Sequence, residues 1–450
     1  MQKIVIIGAG LTGLSAAYHL EKSGITSYEI YEKQPTIGGL TRSVCENGFT
    51  VDYTGHFLHS NNEYFSTFLA TLFGPAELQS ITRNAHVFMH NRYLAYPFQT
   101  NLKNLPTNII AQCIESFIKK PGNTYTPKTF KQWLLKAFGK GMCSEFFYPY
   151  NSKILQFPLS KIMPEQGGRF IPTIKLEDII KNFSHQESSS LGYNSSFLYP
   201  RENGIALLPN RIESKLTSKI HCNHSVELIN SKQKKIYFSN GSSTIYDILI
   251  ATMPLDTLLK STTFSSDSNL EIQSSNLYCN TVINLNLGIN KPNFNDKHWI
   301  YFPEKKFSFY RIGFWNAISA HMAPKNKSSL FAEMSLMKPK KKDIDKKVIS
   351  AKKELLTLLK LNQSDICFEK TLMLDHAYVI YNDWRKNNLS TLLTSLEKNN
   401  IFSIGRFGEW KYSSMQEAVL DGQKAAEKIY TQTTPSRTSM TPTITERNVP

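Results

Sequence analysis

The sequence predicts an α/β protein of several domains, and three observations near its start support this class. Residues 3–7 form a short β-branched run that leads at once into a Gly-x-Gly-x-x-Gly turn and then into a segment of helical composition. A second strand-like run, residues 28–31, ends in Glu32. This order of strand, glycine turn, helix, strand and acid is the pattern of a dinucleotide-binding βαβ unit. The 450 residues leave room for two or three domains.

Each part of this unit has a mechanical role. Gly8 permits the tight turn, Gly10 lets the backbone approach a pyrophosphate, and Gly13 lets the helix pack closely on the sheet. Glu32 follows the turn at the spacing where an acid accepts hydrogen bonds from ribose hydroxyls. A glycine turn alone also fits an ordinary βα connection. The strand before the turn, the helix after it and the acid at the expected spacing together favour a dinucleotide site.

A second pair of glycines indicates which dinucleotide is bound. Gly38 and Gly39, with Arg42 close behind, resemble the loop of glutathione-reductase and amine-oxidase flavoproteins that wraps the flavin diphosphate. A plain NAD dehydrogenase does not need this loop. We therefore expect FAD as the cofactor.

The amino-acid composition is that of a globular protein and not of a membrane-spanning one. The chain is 41% hydrophobic and 20% charged, which are globular values, and no apolar run approaches the ~20 residues that span a bilayer. The first strand begins at residue 3, so we expect no signal peptide and a cytoplasmic protein. The cysteines form neither a Cys-x-x-Cys pair nor a zinc spacing, which favours free thiols and predicts no metal site.

The net charge of +16 is compatible with phosphorylated substrates, an anionic membrane surface or nucleic acid. The densest basic run, residues 338–347, is interrupted by a proline and two aspartates, which is typical of a solvated loop and helix start. No nucleic-acid-binding signature accompanies it, so we expect no nucleic-acid partner.

The rest of the chain alternates between the dinucleotide unit and inserted segments. The expected segments are FAD-binding residues 1–83, a hairpin plus helical substrate domain at 84–190, FAD-binding residues 191–265, a β-rich substrate domain at 266–395, FAD-binding residues 396–430, and a disordered Thr/Ser/Pro-rich tail at 431–450. The predicted fold is therefore α/β, with a Rossmann-like FAD-binding domain assembled from discontinuous segments beside a helical domain and a β-sheet domain.

Four stretches resemble the UDP-galactopyranose mutase family, closer to its eukaryotic branch, within the FAD-dependent amine oxidase and protoporphyrinogen oxidase superfamily. They are residues 96–99 with Arg83 upstream, residues 149–153, residues 299–304 followed by 309–311, and residues 405–412. The runs Trp-x-Tyr-Phe-Pro-Glu and Gly-Arg-Phe-Gly-x-Trp-x-Tyr are the most specific.

The resemblance implies roles for individual residues. Substrate contacts are expected from Arg83, Tyr96, Phe98, Gln99, Tyr150, Asn151, Trp299, Tyr301, Tyr378 and Tyr412. The flavin is expected to be held by Gly8, Gly10, Gly13, Glu32, Gly38, Gly39, Arg42, Val226, Gly405, Arg406 and Gln416. Arg311 and Arg169 would clamp a diphosphate, because guanidinium forks match phosphate oxygens in two-point fashion. His56 follows a strand and a glycine, and is expected at the flavin.

The implied activity is interconversion of the pyranose and furanose forms of a nucleotide sugar, such as UDP-galactose. Reduced FAD would attack the anomeric carbon through N5 and expel UDP, and the protein would keep UDP close for recapture. NAD(P)H or another donor would reduce the flavin. No side-chain nucleophile is required, and the sequence does not indicate an oligomeric state.

Departures from the family's pattern leave the nucleotide and the sugar open. Leu155 stands where a tryptophan is usual, residues 312–318 lack an expected tyrosine, and Gln416 replaces a common asparagine. A flavin oxidase or desaturase of the amine or protoporphyrinogen type is an alternative, which predicts an apolar pocket or aromatic cage without paired arginines. A flavin-fold binding protein without chemistry is the third interpretation.

Overall fold

The computed structural model describes residues 2–168, 171–184, 195–264, 274–292 and 294–433. The strands are β1 (Ile4–Ile7), β2 (Tyr28–Tyr31), β3 (Ser43–Glu46), β4 (Phe49–Asp52), β5 (Leu78–Thr82), β6 (Ala85–Met89), β7 (Arg92–Ala95), β8 (Ser196–Pro200), β9 (Ile220–His221), β10 (Val226–Asn230), β11 (Lys235–Phe238), β12 (Ser243–Ile245), β13 (Ile248–Ala251), β14 (Thr262–Thr263), β15 (Thr281–Ile289), β16 (Trp299–Tyr301), β17 (Arg311–Phe314), β18 (Ser328–Leu336), β19 (Ile366–Leu374) and β20 (Ile401–Ser403). The helices are α1 (Leu11–Lys22), α2 (Glu63–Leu72), α3 (Thr107–Ile118), α4 (Phe130–Met142), α5 (Tyr148–Leu155), α6 (Leu176–Ser184), α7 (Leu207–Glu213), α8 (Leu255–Lys260), α9 (Trp315–Ile318), α10 (Lys341–Leu359), α11 (Asp383–Lys398), α12 (Gly405–Gly408) and α13 (Met415–Thr433).

A five-stranded parallel sheet forms the dinucleotide-binding domain. Its strand order is β20-β13-β1-β2-β9, and β1 lies between β13 and β2, with Ile4 opposite both Ile248 and Tyr28. The two central strands β1 and β13 are buried along their whole length, as expected of apolar strands in a parallel sheet. Three segments that are distant in the sequence therefore build one domain, which confirms the predicted discontinuous fold.

Helix α13 closes this domain against α1. A Cβ on Gly422 would lie 2.5 Å from the carbonyl oxygen of Thr12, so glycine lets the two helices approach closely. The helix extends to Thr433, which corrects the prediction of a disordered tail from residue 431. Residues 434–450 of that predicted tail lie outside the described part of the chain.

A second, seven-stranded sheet has the order β19-β15-β18-β17-β16-β6-β7. The hairpin β6–β7 joins it through parallel pairing of β6 with β16, although the sequence placed this hairpin with the helical segment. One face of the sheet packs on α10, where Ala351 and Leu355 contact apolar side chains of β15, β17 and β18. The other face lies toward the turn that follows β4 and is hydrogen-bonded to it through Asn284 and Glu333.

The helical segment packs on the hairpin. Side chains of α3, α4 and α5, and of a π-helical stretch at Cys143–Phe147, form one apolar cluster with Val87 and Leu94. Helix α11 lies at the end of the predicted β-rich segment, yet its Leu389, Leu392 and Leu396 pack in the cluster of the dinucleotide domain. No helix in the described ranges is both long and apolar enough to cross a membrane.

Candidate active site

The glycine turn between β1 and α1 has no room for side chains. Gly8 adopts φ +102°, a conformation that L side chains rarely adopt. A Cβ on Gly13 would lie 1.9 Å from the carbonyl oxygen of Gly8. Gly10 is the N-cap of α1 and gives no side-chain capping bond. The first N–H groups of a 12-residue helix therefore remain available for a phosphate.

Glu32 orders the turn from the end of β2. Its Oε2 accepts a hydrogen bond from the N–H of Ala9 at 2.9 Å, and its Oε1 accepts from the N–H of Gln34 at 2.9 Å. The residue is 6% exposed. Each carboxylate oxygen carries two lone pairs, so both keep a site for a ribose hydroxyl.

The second glycine pair closes against the first. The N–H of Gly38 donates to the carbonyl oxygen of Ala9 at 2.8 Å, and a Cβ on Gly39 would lie 3.1 Å from the Cα of Gly10. Gly405 approaches from the C-terminal segment, where an added Cβ would lie 2.6 Å from Thr12 Oγ1. Gly10, Gly39 and Gly405 thus border one backbone-lined space, called the cradle, and larger side chains at these positions would fill it. The residues present therefore fit the diphosphate of FAD.

A row of polar side chains crosses the seven-stranded sheet beneath the turn that follows β4. Strand pairing places Asn284 opposite Glu333, and Glu333 opposite Arg311. Asn284 Nδ2 donates to the carbonyl oxygen of Tyr53 at 2.9 Å, and the N–H of Gly55 donates to Glu333 Oε1 at 3.3 Å. These bonds fix the turn onto the sheet.

His56 is the next residue in this turn. Its Nδ1 lies 2.9 Å from Thr54 Oγ1. Burial, followed by the charges of Arg406 and Arg311, lowers the pKa of His56 to about 3. The imidazole is therefore neutral at physiological pH, and two guanidinium groups lie near it.

Arg311 forms a buried two-point ion pair. Its Nε and Nη2 donate to the two carboxylate oxygens of Glu333 at 2.8 and 2.7 Å, and the Glu333 side chain is fully buried. The sequence predicted that this guanidinium fork would grip a diphosphate. Glu333 occupies that edge, so the Nη1 side is the edge left for a ligand.

Five tyrosine side chains lie close together on the side of the sheet that carries Arg311. The ring of Tyr301 lies 4.9 Å from that of Tyr96 and 5.4 Å from that of Tyr150, measured between centroids. Tyr378 and Tyr412 lie 5.9 Å apart and nearly parallel. Burial raises the pKa of Tyr96, Tyr150, Tyr378 and Tyr412, so these hydroxyls stay protonated and serve as donors.

Arg406 adds a second cation at this point. Its Nη1 and Nη2 donate to the carbonyl oxygens of Ser413 and Ala377 at 2.7 and 2.8 Å. The guanidinium carbon lies 4.7 Å from the centroid of the Tyr412 ring. Its Nε is buried and has no hydrogen-bond partner within the described structure. A bound group with acceptor atoms would satisfy this donor, which suits the polar edge of a flavin.

Three predicted substrate residues lie in the core. Phe98, Gln99 and Trp299 are 0%, 2% and 3% exposed. The two aromatic rings stack on other rings at 4.7 and 4.9 Å, and the Gln99 amide donates to a backbone carbonyl at 3.0 Å. Close packing leaves these side chains almost no surface, and their contact with a substrate stays a prediction.

Two predicted amide side chains are used within the protein. Asn151 Nδ2 donates to the carbonyl oxygen of Phe147 at 2.7 Å. Gln416 Oε1 accepts from the N–H of Asn61 at 3.0 Å, and its Nε2 donates to Asn61 Oδ1 at 2.7 Å. Gln416 therefore links α13 to the loop before α2, and its contact with the flavin stays a prediction.

The remaining predicted residues lie around the site. The Arg83 guanidinium lies 4.8 Å from the Tyr96 ring. Arg42 Nε donates to the carbonyl oxygen of Gly39 at 2.9 Å. Val226 begins β10 in the four-stranded sheet of the dinucleotide side. Arg169 lies outside the described residues.

Several site residues were not predicted. Glu333 and Asn284 form the polar row, Thr54 holds His56, and Lys153 holds the turn between β16 and β17. A lone acid inside the apolar run at 330–336 was a usable signal for Glu333, because a buried carboxylate needs a partner.

The fold and the site define a flavin-binding protein in which a Rossmann-like domain is combined with a seven-stranded β-sheet. The chain belongs to the family of flavin containing amine oxidoreductases, whose sequence profile matches residues 11–430. Its structure is similar to that of a reduced UDP-galactopyranose mutase, with a TM-score of 0.88 and 26% identity over 96% of this chain and 94% of that one.

Other relatives have different activities. A redesigned putrescine oxidase matches with a TM-score of 0.67 and 13% identity over 96% of this chain and 99% of that one, which shows a shared fold. A polyenoic fatty acid isomerase from Ptilota filicina is 46% identical over 55 residues, which are 12% of this chain and 11% of the relative. Because one fold hosts isomerases and oxidases, the reaction has to be argued from the site.

Proposed function

We propose that this protein is a FAD-dependent nucleotide-sugar mutase that interconverts pyranose and furanose forms of a substrate such as UDP-galactose. The observation that carries the proposal is the grouping of Arg311 with the phenols of Tyr150, Tyr301, Tyr378 and Tyr412. A diphosphate sugar presents acceptor oxygens along its length. A cleft of protonated hydroxyls and a guanidinium edge is complementary to such a ligand.

The similarity to the mutase structure supports the same conclusion. It extends over nearly the whole of both chains. The stretches that resemble the mutase family supply Tyr150, Tyr301, Arg311 and Tyr412, which the fold brings together from α5, β16, β17 and the loop before α13.

The residues of the site divide the work of the proposed reaction. Reduced FAD would supply a nucleophilic N5. Arg311 and the phenols would bind the diphosphate and keep the departed nucleotide near the sugar, so that its return is effectively intramolecular. His56 is neutral, so it adds no charge beside Arg406. A reductant such as NAD(P)H and a cytoplasmic location complete the proposal, which includes no nucleic-acid partner.

A flavin amine oxidase is the second candidate. The parallel rings of Tyr378 and Tyr412, 5.9 Å apart, resemble the aromatic cage that an oxidase would need. The cations argue against it. Arg406 lies over the Tyr412 ring at 4.7 Å, and a protonated amine between these rings would face a like charge.

One assay separates the two candidates. The purified holoenzyme is reduced with dithionite under anaerobic conditions and given UDP-galactofuranose, and the products are separated by chromatography. A mutase converts the furanose to the pyranose without net flavin oxidation. We expect Arg311→Lys, which keeps a cation beside Glu333 but loses the two-point fork, to retain FAD and lose most of the conversion, and Arg92→Lys, an exposed change, to preserve it. Peroxide release from amines without any sugar conversion would refute the mutase.

A further inference from the structure

One lysine joins two elements of the substrate cleft. Lys153 lies in α5, three residues after Tyr150. Its ammonium donates to the carbonyl oxygens of Phe302 at 2.8 Å, Glu304 at 2.5 Å and Phe309 at 3.2 Å. These three acceptors lie in the turn between β16 and β17. An ammonium has three N–H donors, and all three are used here.

The surroundings of Lys153 are mixed in charge. Glu304 lies in the same turn, and Lys347 and Glu354 lie on α10. Burial, followed by repulsion from Lys347, lowers the pKa of Lys153 to about 7. Hydrogen bonds to three carbonyl oxygens favour the protonated form, and losing the proton would remove one of the donors. The half-buried ammonium of Lys153 is therefore held by the protein through all of its donors.

The turn that Lys153 holds carries cleft residues at both ends. Tyr301 is the last residue of β16 and Arg311 is the first residue of β17. The turn is also held from the opposite helix, because Glu354 accepts from the N–H and hydroxyl of Ser308 at 2.6 and 2.5 Å. Lys153 supplies the attachment on the side of α5.

We propose that Lys153 is a positioning residue for substrate binding. Its ammonium fixes the turn of residues 302–309 against α5, so that Tyr301 and Arg311 face Tyr150 across one cleft. Lys153 itself does not touch the ligand, because its donors are all taken by the protein. The inference deepens the proposed function and rests on it for the identity of the ligand, a nucleoside diphosphate.

The first test replaces the ammonium with an apolar group of similar length. Lys153→Met is compared with wild type and with Lys161→Met, which changes an exposed lysine just beyond the same helix. We expect all three holoenzymes to keep FAD in equal stoichiometry. The affinity for UDP, measured from the change that UDP causes in the flavin spectrum, should fall at least tenfold in Lys153→Met and in neither of the other two proteins. Unchanged UDP affinity in that variant would overturn the proposal.

A chemical rescue experiment distinguishes loss of the ammonium group from a general loss of packing at residue 153. Lys153→Cys alkylated with 2-bromoethylamine regains a primary ammonium at the right distance, and we expect UDP affinity to return to within about threefold of wild type. Wild type receives the same treatment as a control, because Cys45 and Cys367 are exposed. Lys153→Arg should stay weak, since a planar fork cannot converge on three carbonyls. Equal affinity of the alkylated and untreated variants would contradict the inference.

A second readout does not depend on the ligand. Hydrogen exchange of the backbone amides of residues 302–310 is compared between wild type and Lys153→Met, or Lys153→Arg if the methionine variant does not fold. Faster exchange confined to this turn is expected. If UDP fails to perturb wild-type flavin but exchange rises, the proposed function falls while the holding role of Lys153 stands. Equal exchange would refute that role.

Discussion

At the scale of single residues, the ion pair of Arg311 with Glu333 determines how much charge Arg311 adds to the candidate site. Glu333 is fully buried and takes two donors of the guanidinium. The pair is neutral together, so the positive character of the cleft depends on Arg406 and on hydroxyl donors. Removing one partner of a buried pair leaves an uncompensated charge, which costs more than the pair contributes.

Glu333→Gln should therefore destabilise the fold strongly. The change leaves Arg311 buried without a counter-charge, and breaking such a pair costs about 3–5 kcal/mol of unfolding free energy. Glu369→Gln is the matched control, because its carboxylate pairs with Lys352 at the surface of the same sheet and contributes at most about 1 kcal/mol. Urea denaturation of both variants measures the difference. Equal losses would mean that Glu333 is not the sole partner of Arg311.

The pH dependence of stability tests His56. Its pKa is about 3 in the folded state and near 6.5 when unfolded, so between these values the unfolded chain binds more protons. Stability therefore falls as the pH drops, by at most about 1.4 kcal/mol per pH unit for one proton. His56→Gln should show a shallower fall between pH 7 and 5, whereas exposed His321→Gln should follow wild type. Parallel curves for all three proteins would refute a neutral His56.

Single residues show where the sequence is informative. Gly8, Gly13 and Glu32 were predictable because their chemistry is set by a local turn and a fixed spacing. The lone acid in residues 330–336 indicates that Glu333 needs a partner, but the identity of that partner was not predictable, because Arg311 lies on a different strand and only the sheet register brings the two together. Trp299 is predicted as a substrate contact from its motif; the structure shows that its ring stacks on Phe57, and the contact itself stays a prediction.

At the scale of elements, two glycines set the packing of α1, one against the turn before it and one against α13. Gly13 lets α1 begin against the turn, and Gly422 lets α13 cross α1 at short range. Helix and strand patterns predicted both helices. The close approach was not predictable, because it depends on a glycine more than 400 residues away from its partner.

Gly422→Ala tests this contact. Alanine favours a helix over glycine by about 1 kcal/mol, but its Cβ would lie 2.5 Å from the carbonyl oxygen of Thr12 and 2.6 Å from the N of Ala16. Overpacking against backbone costs about 1–3 kcal/mol, so we expect net destabilisation and weaker FAD retention. Gly122→Ala is the control, since no atom lies within 4 Å of its added Cβ. A stabilised Gly422→Ala would show that the helices separate easily.

At the scale of the whole molecule, the strands that pair in the dinucleotide domain come from three parts of the chain. Strands β1, β13 and β20 are hydrogen-bonded neighbours, and the long insertions between them build the helical segment and the seven-stranded sheet. The alternation of segments was visible in the sequence. The exact division was not, because the hairpin β6–β7 and helix α11 pack on partners that are distant in sequence.

This arrangement makes the cofactor a link between segments. Gly10 and Gly39 of the N-terminal part and Gly405 of the C-terminal part border one cradle, so a dinucleotide held there contacts both ends of the chain. Binding to the folded state alone should raise the unfolding free energy by about 2.7 kcal/mol at a hundredfold excess over Kd.

FAD titration into apoprotein measures this coupling by thermal unfolding. We expect the midpoint to rise with the logarithm of FAD concentration, and proteolysis near α12 and α13 to slow in parallel. Glu32→Ala should need more FAD for the same shift, because Glu32 orders the turn through Ala9 and Gln34. Glu63→Ala, at the first turn of α2, is the control. If FAD raised the midpoint but left cleavage of the C-terminal helices unchanged, the cofactor would bind only the N-terminal unit, and the cradle would not couple the two ends.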